Sequence, residues 1–487
     1  MTARPFYIFV VGGKYYLINV DDRLSIHLPK EEAETLKLIE DNGKISPRQE
    51  LLLWKYDLIS GSSPVKNKRD AIEIQSVTLL VTHACNFKCT YCYEFSNFSQ
   101  PHSKPGKMTF DVAQRTVDWL IKKSGSRRQL SLGFFGGEPL MNFSLIKEVV
   151  AYANLRAQEA RKSFSFSLTT NGSLLNDEII AFLKTHSIKV TVSMDGNKEI
   201  QNTQRPMLNG KDSYDIVRPK AVKLLEEMPD TSCQATMCGD TALDTVKESL
   251  AALGFKRIGL TNVTPATSED RKMTSGKVWN IDTAIDFLEK EAITLRNAIA
   301  NRDADAIRNP FNYLCQRVGT FLTGEVKEHH CGAGKASVAV ANSGDIYLCH
   351  RFSDLSDYRL GHIEDLHIDR EPYLDKPVGS IDACSNCFSR YHCPGGCYHD
   401  NLNTTGSVFE PNSDLCEVSR HMTELSAAIA ADLVEEDIAF LVSEKLVDAD
   451  ASRRTASQIG ITTGSVVAEA GLSGLSYAIP APWVVSE

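Results

Sequence analysis

Thirteen cysteines, most of them grouped in two stretches, constrain this 487-residue chain more than any other feature of its sequence. One group lies early, at Cys85, Cys89 and Cys92, and the other extends from Cys331 to Cys416. The apolar run near the N-terminus is too short for a signal peptide, so we expect a cytoplasmic protein, in which thiols stay reduced. The cysteines therefore indicate metal or redox chemistry rather than disulfides.

Composition and charge narrow the classes of partner. Hydrophobic residues make up 42% of the chain and charged residues 24%, as is typical of a folded globular protein. The formal net charge of -9 provides no overall basic field for nucleic acid. No stretch approaches about 18 consecutive apolar residues, the length that a membrane helix needs. We expect neither a nucleic-acid nor a membrane partner.

The N-terminal 60 residues have the pattern of a small separate module. Phe6–Val11, a turn at Gly12-Gly13 and residues 14–20 predict a β-hairpin. Two helical stretches follow, and Ser46 is the predicted N-cap of the second. The Gly, Ser and Pro residues after position 60 are typical of a linker.

From Ser76 onward, short β-rich runs alternate with helical patterns. This alternation predicts parallel βα units and an α/β barrel, or part of one, up to about residue 310. Short irregular segments rich in Cys, Gly, His and Asp follow, and we expect a metal to hold them together. The predicted domains are the N-terminal module (1–60), a linker (61–75), the α/β core (76–310), a cysteine-rich domain (311–420) and a C-terminal helix and tail (421–487).

The early cysteines have the spacing C-x3-C-x2-C and directly follow a predicted strand. Three thiolates on one loop can hold three irons of a [4Fe-4S] cube and leave the fourth iron open for another ligand. A zinc site is the alternative, but zinc usually takes four protein ligands, and three clustered cysteines do not complete a tetrahedron. The spacing therefore favours an iron–sulfur cluster with one open iron.

This spacing, with Tyr91 at the aromatic position, resembles the signature of the radical S-adenosylmethionine (SAM) superfamily. In that family the open iron chelates the amino and carboxylate groups of the methionine of SAM. Gly136-Gly137-Glu138-Pro139 resembles the family's GGEP motif, in which backbone groups and Glu138 would receive the methionine ammonium. The resemblance also implies ribose and carboxylate contacts from strand ends, at Thr170, Asn171, Ser193 and Asp195.

The loop after Asp195 departs from the family pattern. Relatives of the SPASM type commonly carry a His-Asp pair there, and this chain has Gln201-Asn202 instead. The resemblance leaves Arg205 as the SAM-side contact of this loop.

The later cysteines match the SPASM pattern, with C-x12-G-x4-C from Cys331 to Cys349 and then C-x2-C-x5-C-x3-C. Structural zinc sites of the ribbon type are the alternative. The resemblance implies two auxiliary [4Fe-4S] clusters. One would use Cys384, Cys387, Cys393 and Cys416; the other would use Cys331, Cys349 and Cys397, with Cys315 as the candidate fourth ligand or else an open iron.

Taken together, the resemblance implies an α/β fold in three parts. These are a partial (β/α)6 TIM-like radical SAM barrel, an N-terminal winged-helix-like peptide recognition module and a cysteine-rich C-terminal iron–sulfur (SPASM) domain. The implied cofactors are SAM and three [4Fe-4S] clusters, and the implied electron donor is a protein such as flavodoxin or ferredoxin.

The expected activity is that of an oxidoreductase that matures ribosomally synthesised peptides (RiPPs). Reductive cleavage of SAM would give a 5'-deoxyadenosyl radical, which installs a thioether or carbon–carbon crosslink in a precursor peptide. The peptide's leader would add as a strand to the hairpin, along residues 7–11 or 14–20. Two alternative functions are a sulfatase-maturing formylglycine-forming enzyme and a non-catalytic iron–sulfur carrier or sensor. The alternative for the N-terminal module is that it only packs against the barrel and binds no peptide.

Overall fold

The computed structural model describes residues 4–42, 45–59, 73–93, 106–263, 280–308, 313–353, 355–365 and 367–448. These residues form two compact units. The first contains the described parts of 1–63, 318–325 and 427–487, and the second those of 64–317 and 326–426. The predicted tail beyond residue 448 and most of the predicted linker lie outside the described residues.

The first unit is built on an antiparallel three-stranded sheet of order β1-β2-β3. Its strands are β1 (Phe6–Val11), β2 (Lys14–Asn19) and β3 (Leu24–Leu28), and its first helices are α1 (Lys30–Asn42) and α2 (Pro47–Lys55). The predicted hairpin and both helices are confirmed. Ser46 caps α2 through a capping box with Gln49, as the sequence predicts.

The third strand corrects one expectation about the hairpin. β2 pairs with β1 on one side and with β3 on the other. The prediction that residues 14–20 form an open edge is therefore wrong, because the hydrogen-bonding groups of β2 are used on both sides. Within the described residues, the outer strands of this sheet are β1 and β3.

The described residues of the second unit form a nine-stranded sheet of order β12-β11-β10-β4-β5-β6-β7-β8-β9. Strands β4 to β9 run parallel in chain order, as predicted for βα units, and β10 adds parallel to β4. Strands β11 and β12 are antiparallel additions. The strands are β4 (Ser76–Thr82), β5 (Gln129–Gly136), β6 (Ser163–Thr170), β7 (Lys189–Ser193), β8 (Ser232–Met237), β9 (Ile258–Asn262), β10 (Ser337–Val340), β11 (Asp345–Tyr347) and β12 (Arg359–His362).

Amphipathic helices connect the parallel strands and bury their apolar faces against the sheet. The helices that follow α2 are α3 (Phe110–Lys123), α4 (Phe143–Ala160), α5 (Asp177–Thr185), α6 (Lys198–Gln204), α7 (Tyr214–Glu227), α8 (Leu243–Ala252), α9 (Ile281–Ala300), α10 (Ala304–Arg308), α11 (Tyr313–Thr323), α12 (Glu371–Leu374), α13 (Asp382–Ser385), α14 (Tyr398–Thr405), α15 (Ser413–Asp432) and α16 (Glu435–Ser443). Across the described part of the chain, none of the helices has the length and apolar character that crossing a membrane requires.

Segments distant in sequence complete the first unit. The end of α15 reaches the small sheet, where the Tyr16 hydroxyl donates a hydrogen bond to Asp432 Oδ2 at 3.0 Å. Lys14 Nζ lies 3.7 Å from Asp432 Oδ1, and Ala428 and Leu441 of the same unit are fully buried. The first unit is therefore not a module of the first 60 residues alone.

Candidate active site

The carboxyl ends of β4 to β9 surround a cavity of about 530 Å³ in the second unit. Parallel strands bring their carboxyl ends to one edge of a sheet, so motifs far apart in sequence meet there. Asp195, Glu138 and Pro139 do not line the cavity and are buried behind its wall. The predicted site residues that line it are Cys85, Cys89, Cys92, Tyr91, Gly136, Gly137, Thr170, Asn171, Ser193 and Arg205.

The first cysteine group lies on the loop after β4, with donors directed at two of its sulfur atoms. The Phe87 backbone N–H donates to Cys85 Sγ at 3.4 Å, and Asn171 Nδ2 lies 3.9 Å from the same atom. Arg205 Nη1 lies 4.0 Å from Cys89 Sγ. Burial raises the pKa of Cys85 to about 12 and that of Cys89 to about 11.

These residues fit an iron–sulfur cluster by the chemistry of the donor set. Buried thiols with high pKa values lose their protons when a metal binds, and nearby N–H and guanidinium donors stabilise the resulting thiolates. Among the described residues, no three His, Cys, Asp or Glu side chains converge tightly enough for a single metal ion. A cube distributes its cysteine ligands over separate irons and does not need such convergence.

Main-chain hydrogen bonds tie the cysteine loop to the segment after α6. Lys88 N donates to Pro206 O at 2.9 Å, and Thr90 N donates to Gln204 O at 3.0 Å. Leu208 N donates in turn to the carbonyl of Asn86, at 2.8 Å. Backbone contacts between these two segments therefore help to fix the geometry of the cysteine loop.

Gly136 and Gly137 allow β5 and the cysteine loop to approach closely. A Cβ atom at Gly136 would lie 2.1 Å from Thr82 O, and one at Gly137 would lie 2.4 Å from Ala84 O. Gly136 also has a φ of +137°, which other residues rarely adopt. Both glycines are thus required by protein packing in addition to any contact with SAM.

The Glu138 carboxylate joins the ends of β5 and β6. It is fully buried, and it accepts hydrogen bonds from Leu140 N at 3.1 Å, Thr170 Oγ1 at 2.7 Å and Asn171 N at 2.7 Å. Burial raises its pKa to about 7. The role inferred from the resemblance, receipt of the methionine ammonium, stays a prediction.

Tyr91, Asp195 and Arg205 form a buried network that joins the cysteine loop to the end of β7. The Tyr91 hydroxyl donates to Asp195 Oδ2 at 2.6 Å, and Arg205 Nε lies 2.9 Å from Asp195 Oδ1. Burial raises the pKa of the Tyr91 phenol well above its ordinary value, so the phenol keeps its proton. Sequence reasoning named all three residues but gave no sign that they contact one another.

Gln201 and Asn202, the residues that replace the family's His-Asp pair, hold the surrounding backbone. Gln201 Oε1 accepts from Asp195 N at 2.9 Å. Asn202 Oδ1 accepts from Ser213 N at 3.1 Å and from Tyr214 N at 2.9 Å. Both amides therefore fix the strand-end loop, a role that the sequence did not reveal.

One further part of the cavity wall comes from residues that sequence reasoning left out of the site. Tyr93, Phe135, His350 and Arg351 line this part of the cavity. The Phe135 and His350 rings lie 4.4 Å apart, and the Arg351 guanidinium lies 5.9 Å from the Tyr93 ring centre. Burial lowers the pKa of His350 to about 3, so its imidazole is neutral. The available signal was the position of His350 and Arg351 directly after Cys349.

Arg351 connects this wall to the later cysteines. Its Nη1 atom lies 2.8 Å from Asp400 Oδ1 and 3.6 Å from Cys397 Sγ. Burial, followed by the thiols of Cys397 and Cys331, raises the pKa of Cys349 to about 12. Cys331, Cys349 and Cys397 are therefore electrostatic neighbours, as the predicted ligand set requires.

The four thiols of the other predicted auxiliary group also interact electrostatically. Burial first, and then the thiols of Cys416, Cys387 and Cys393, raise the pKa of Cys384 to about 12. Cys315, in contrast, lies in α11, and burial alone raises its pKa to about 12. Its assignment as a fourth ligand to the Cys331 group stays a prediction.

Comparisons with known proteins agree with this geometry. Residues 79–253 match the family model of the Radical SAM superfamily. The radical SAM cyclopropyl synthase TigE of Paramaledivibacter caminithermalis is 23% identical over 375 residues, covering 71% of this chain and 72% of that protein. A cysteine-type anaerobic sulfatase-maturating enzyme of Clostridium perfringens is 24% identical over 342 residues, covering 67% and 90%. The solved structure of native anSMEcpe with bound AdoMet and Cp18Cys peptide has a TM-score of 0.61 at 22% identity, covers 74% of this chain and 100% of its own, and shares the fold.

Proposed function

Because this chain is a radical SAM enzyme related to sulfatase-maturating enzymes and to peptide maturases, we propose that it matures a ribosomally synthesised peptide. The proposed reaction installs an intramolecular crosslink, a thioether or a carbon–carbon bond. SAM is the co-substrate, a flavodoxin or ferredoxin supplies electrons, and the first unit binds the leader of the peptide.

The observation that carries the choice of a peptide is the open edge of β1. Within the described residues, β1 pairs with β2 alone. The two-residue turn at Gly12-Gly13 makes Val11 and Lys14 a hydrogen-bonded pair, so the N–H groups of Ile8 and Val10 point away from β2. An extended leader can add to these groups as a fourth strand, with main-chain hydrogen bonds supplying affinity.

The residues around the cavity bind and orient the reactants. Cys85, Cys89 and Cys92 are the proposed ligands of the cluster that binds SAM, and Ser193 and Arg205 face the same space as the proposed SAM contacts. When bound, the cluster supplies the electron that splits the sulfonium of SAM into methionine and the 5'-deoxyadenosyl radical, which takes a hydrogen atom from the peptide. The protein's own residues hold SAM and the peptide close together in the orientation that hydrogen-atom transfer requires.

The wall of the cavity also limits solvent. The side chains of Phe87, Tyr93, Phe135 and Val263 line the cavity together with the polar groups at the strand ends. We expect this surface to shield the reacting carbon, since stray hydrogen-atom donors and oxygen would quench a radical. The seven cysteines from Cys331 to Cys416, with Cys315 as the candidate eighth, are the proposed ligands of two further clusters, which would accept an electron from the modified peptide.

The relationship to sulfatase-maturating enzymes supports a second candidate. In this alternative the substrate is a sulfatase, and its Cys or Ser is oxidised to formylglycine. The alternative rests on the C. perfringens relative, which aligns over 90% of its own length. It does not need an added strand on β1. A non-catalytic carrier, in turn, would not need the polar groups that face the cavity.

Two measurements test the proposal in sequence. The reduced protein, prepared without oxygen, is first given SAM, and the release of 5'-deoxyadenosine is measured. A short peptide encoded beside this gene is then co-expressed with the enzyme under anaerobic conditions, and its mass is determined before and after thiol alkylation.

The outcomes separate the candidates. A peptide that has lost a pair of hydrogens and whose cysteine can no longer be alkylated supports a thioether. The same mass loss with every cysteine still alkylated supports a carbon–carbon bond. An unchanged peptide, with SAM cleavage intact, favours the formylglycine alternative, and failure to cleave SAM contradicts both. Deletion of residues 1–60 is unsuitable as a test, because these residues belong to one compact unit with residues 318–325 and 427–487, and Tyr16 bonds to Asp432 within it.

A further inference from the structure

We propose that Asp195 is a positioning residue, which holds Tyr91 and Arg205 against the cysteine loop instead of contacting SAM itself. This inference rests on the proposed function, because it concerns the same SAM site. It differs from the ribose or carboxylate contact that the family resemblance implies for this position.

Protein groups already engage both oxygen atoms of the Asp195 carboxylate. Oδ2 accepts from the Tyr91 hydroxyl at 2.6 Å, and Oδ1 accepts from Thr236 N at 2.9 Å. Arg205 Nε lies 2.9 Å from Oδ1. The Gln204 amide, in the orientation that satisfies all its neighbours, donates to Oδ2 at 2.9 Å. A carboxylate has about four acceptor positions. Three of them take hydrogen bonds from Tyr91, Thr236 and Gln204, and the Arg205 guanidinium lies beside the same carboxylate as its counter-ion.

Burial leads to the same conclusion. Asp195 is 0% exposed, and it does not line the cavity. Tyr91 and Arg205, which both contact the Asp195 carboxylate, do line it. Asp195 can therefore act on a bound SAM through these two side chains.

Both residues held by Asp195 also contact the cysteine loop. Tyr91 belongs to the loop, and Arg205 places its guanidinium carbon 5.3 Å from the centre of the Tyr91 ring. Arg205 Nη1 approaches Cys89 Sγ at 4.0 Å. One buried carboxylate therefore sets the position of an aromatic ring and of a cation at the proposed cluster. Without its negative charge, the buried Arg205 would lose its counter-ion and the ring its anchor.

A double-mutant cycle distinguishes positioning from direct contact. The variants are D195N, Y91F and the double variant, and D215N is the control, because Asp215 is exposed and pairs with Lys198 on the surface. Each is purified anaerobically with its clusters. The readouts are the SAM dissociation constant and the change that SAM causes in the EPR spectrum of the reduced cluster, and neither requires turnover.

We expect D195N and Y91F each to weaken SAM binding by roughly tenfold, with the same altered EPR response, and the double variant to be no worse than the poorer single one. D215N should bind SAM as the unmodified enzyme does. Effects that multiply in the double variant would overturn the inference, because they would mean that Asp195 does not act through Tyr91.

The experiment distinguishes a folding defect and a failure of the proposed function from a failure of the inference about Asp195. If D195N does not fold, Y91F decides alone: tenfold weaker binding supports positioning, and unchanged binding with an unchanged EPR response contradicts it. If the unmodified enzyme neither binds nor cleaves SAM, the proposed function itself fails. If it does both and the two substitutions act independently, only the inference about Asp195 fails.

Discussion

Glu138 Oε1 accepts a hydrogen bond from Thr170 Oγ1 at 2.7 Å, and the fully buried carboxylate thereby joins the ends of two neighbouring parallel strands. Asn171 N donates to the other carboxylate oxygen at 2.7 Å. Asn171 in turn lies 3.9 Å from Cys85 Sγ. One carboxylate thus connects the GGEP segment, the end of β6 and the first cysteine group.

This burial predicts a pH-dependent stability. The Glu138 pKa is raised by burial from its ordinary value of 4.5 to about 7 in the folded protein. Between these values Glu138 is ionised in the unfolded chain and protonated in the folded one. Its contribution to the free energy of unfolding is therefore fully present below pH 4.5 and is lost as the pH rises to about 7. We expect a loss of about 3 kcal/mol, measured by urea unfolding across this pH range.

E138Q should remove this pH dependence. The substitution should also lower the free energy of unfolding at every pH in the range. An amide NH2 would replace a carboxylate oxygen that accepts a hydrogen bond from a backbone N–H, so two donors would face each other. E178Q is the control, since Glu178 is exposed and pairs with Lys147. An E138Q protein with the same pH dependence as the unmodified protein would contradict the assignment to Glu138.

G137A tests the packing of β5 against the cysteine loop. The added Cβ would lie 2.4 Å from Ala84 O and 2.6 Å from His83 O, both backbone atoms that cannot rotate away. We expect a cost of about 1–3 kcal/mol, seen in thermal unfolding, and reduced iron content. G379A is the matched control because a Cβ at Gly379 meets nothing within 4 Å. Equal effects of the two variants would show that the contact is unimportant.

R351M tests the buried ion pair beside the Cys331 group. Arg351 and Asp400 are 19% and 12% exposed, and loss of one partner of such a pair costs about 3–5 kcal/mol. The pair of Arg359 and Asp345, which are 43% and 19% exposed, is the more solvent-accessible comparison, and R359M should cost no more than about 1 kcal/mol. Urea unfolding of both variants checks this, and a similar small loss in the two would contradict it.

The meeting of the motifs at the cavity could be predicted from the sequence. Each motif follows a β-rich run, and parallel strands end at the same edge, so the thiol of Cys85 and the side chain of Asn171 had to approach each other. Spacing alone separated the early cysteines from the later ones, whereas the division of the later ones into two sets came from the family resemblance. The electrostatic interaction of Cys384 with Cys416 agrees with that division.

Other features could not be read from the sequence because they depend on tertiary contacts. β3 is only five residues long, and its apolar positions at Leu24, Ile26 and Leu28 are too few to distinguish it from a loop. The contact of Tyr16 with Asp432 joins residues 416 positions apart. The partners of Asp195 come from three separate segments, at Tyr91, at Gln204-Arg205 and at Thr236, and no local pattern encodes these contacts.

C416A tests the four-cysteine group of the C-terminal region. Cys416 lies at the start of α15 and is an electrostatic neighbour of Cys393 and Cys387. We expect the variant to lose about four irons per chain, measured by iron analysis of anaerobically purified protein. C238A is the control, because Cys238 belongs to none of the three groups. Full iron content in C416A would contradict the proposed ligand set.

V10P tests leader binding at the edge of β1. The Val10 N–H points away from β2, and its side chain is 48% exposed, so proline removes one edge donor without removing a bond of the β1–β2 ladder. We expect the affinity for the precursor peptide to fall roughly fivefold to tenfold, because one main-chain hydrogen bond is lost. Fluorescence anisotropy of a labelled leader measures this affinity. SAM cleavage without peptide should be unchanged, and V10A, which keeps the N–H, should bind normally. Equal binding by V10P and V10A would exclude β1 as the docking edge. In that case H27P tests the other outer strand, because the His27 N–H lies at the outward-facing edge of β3. Weaker binding by H27P would then place the leader on that side of the sheet.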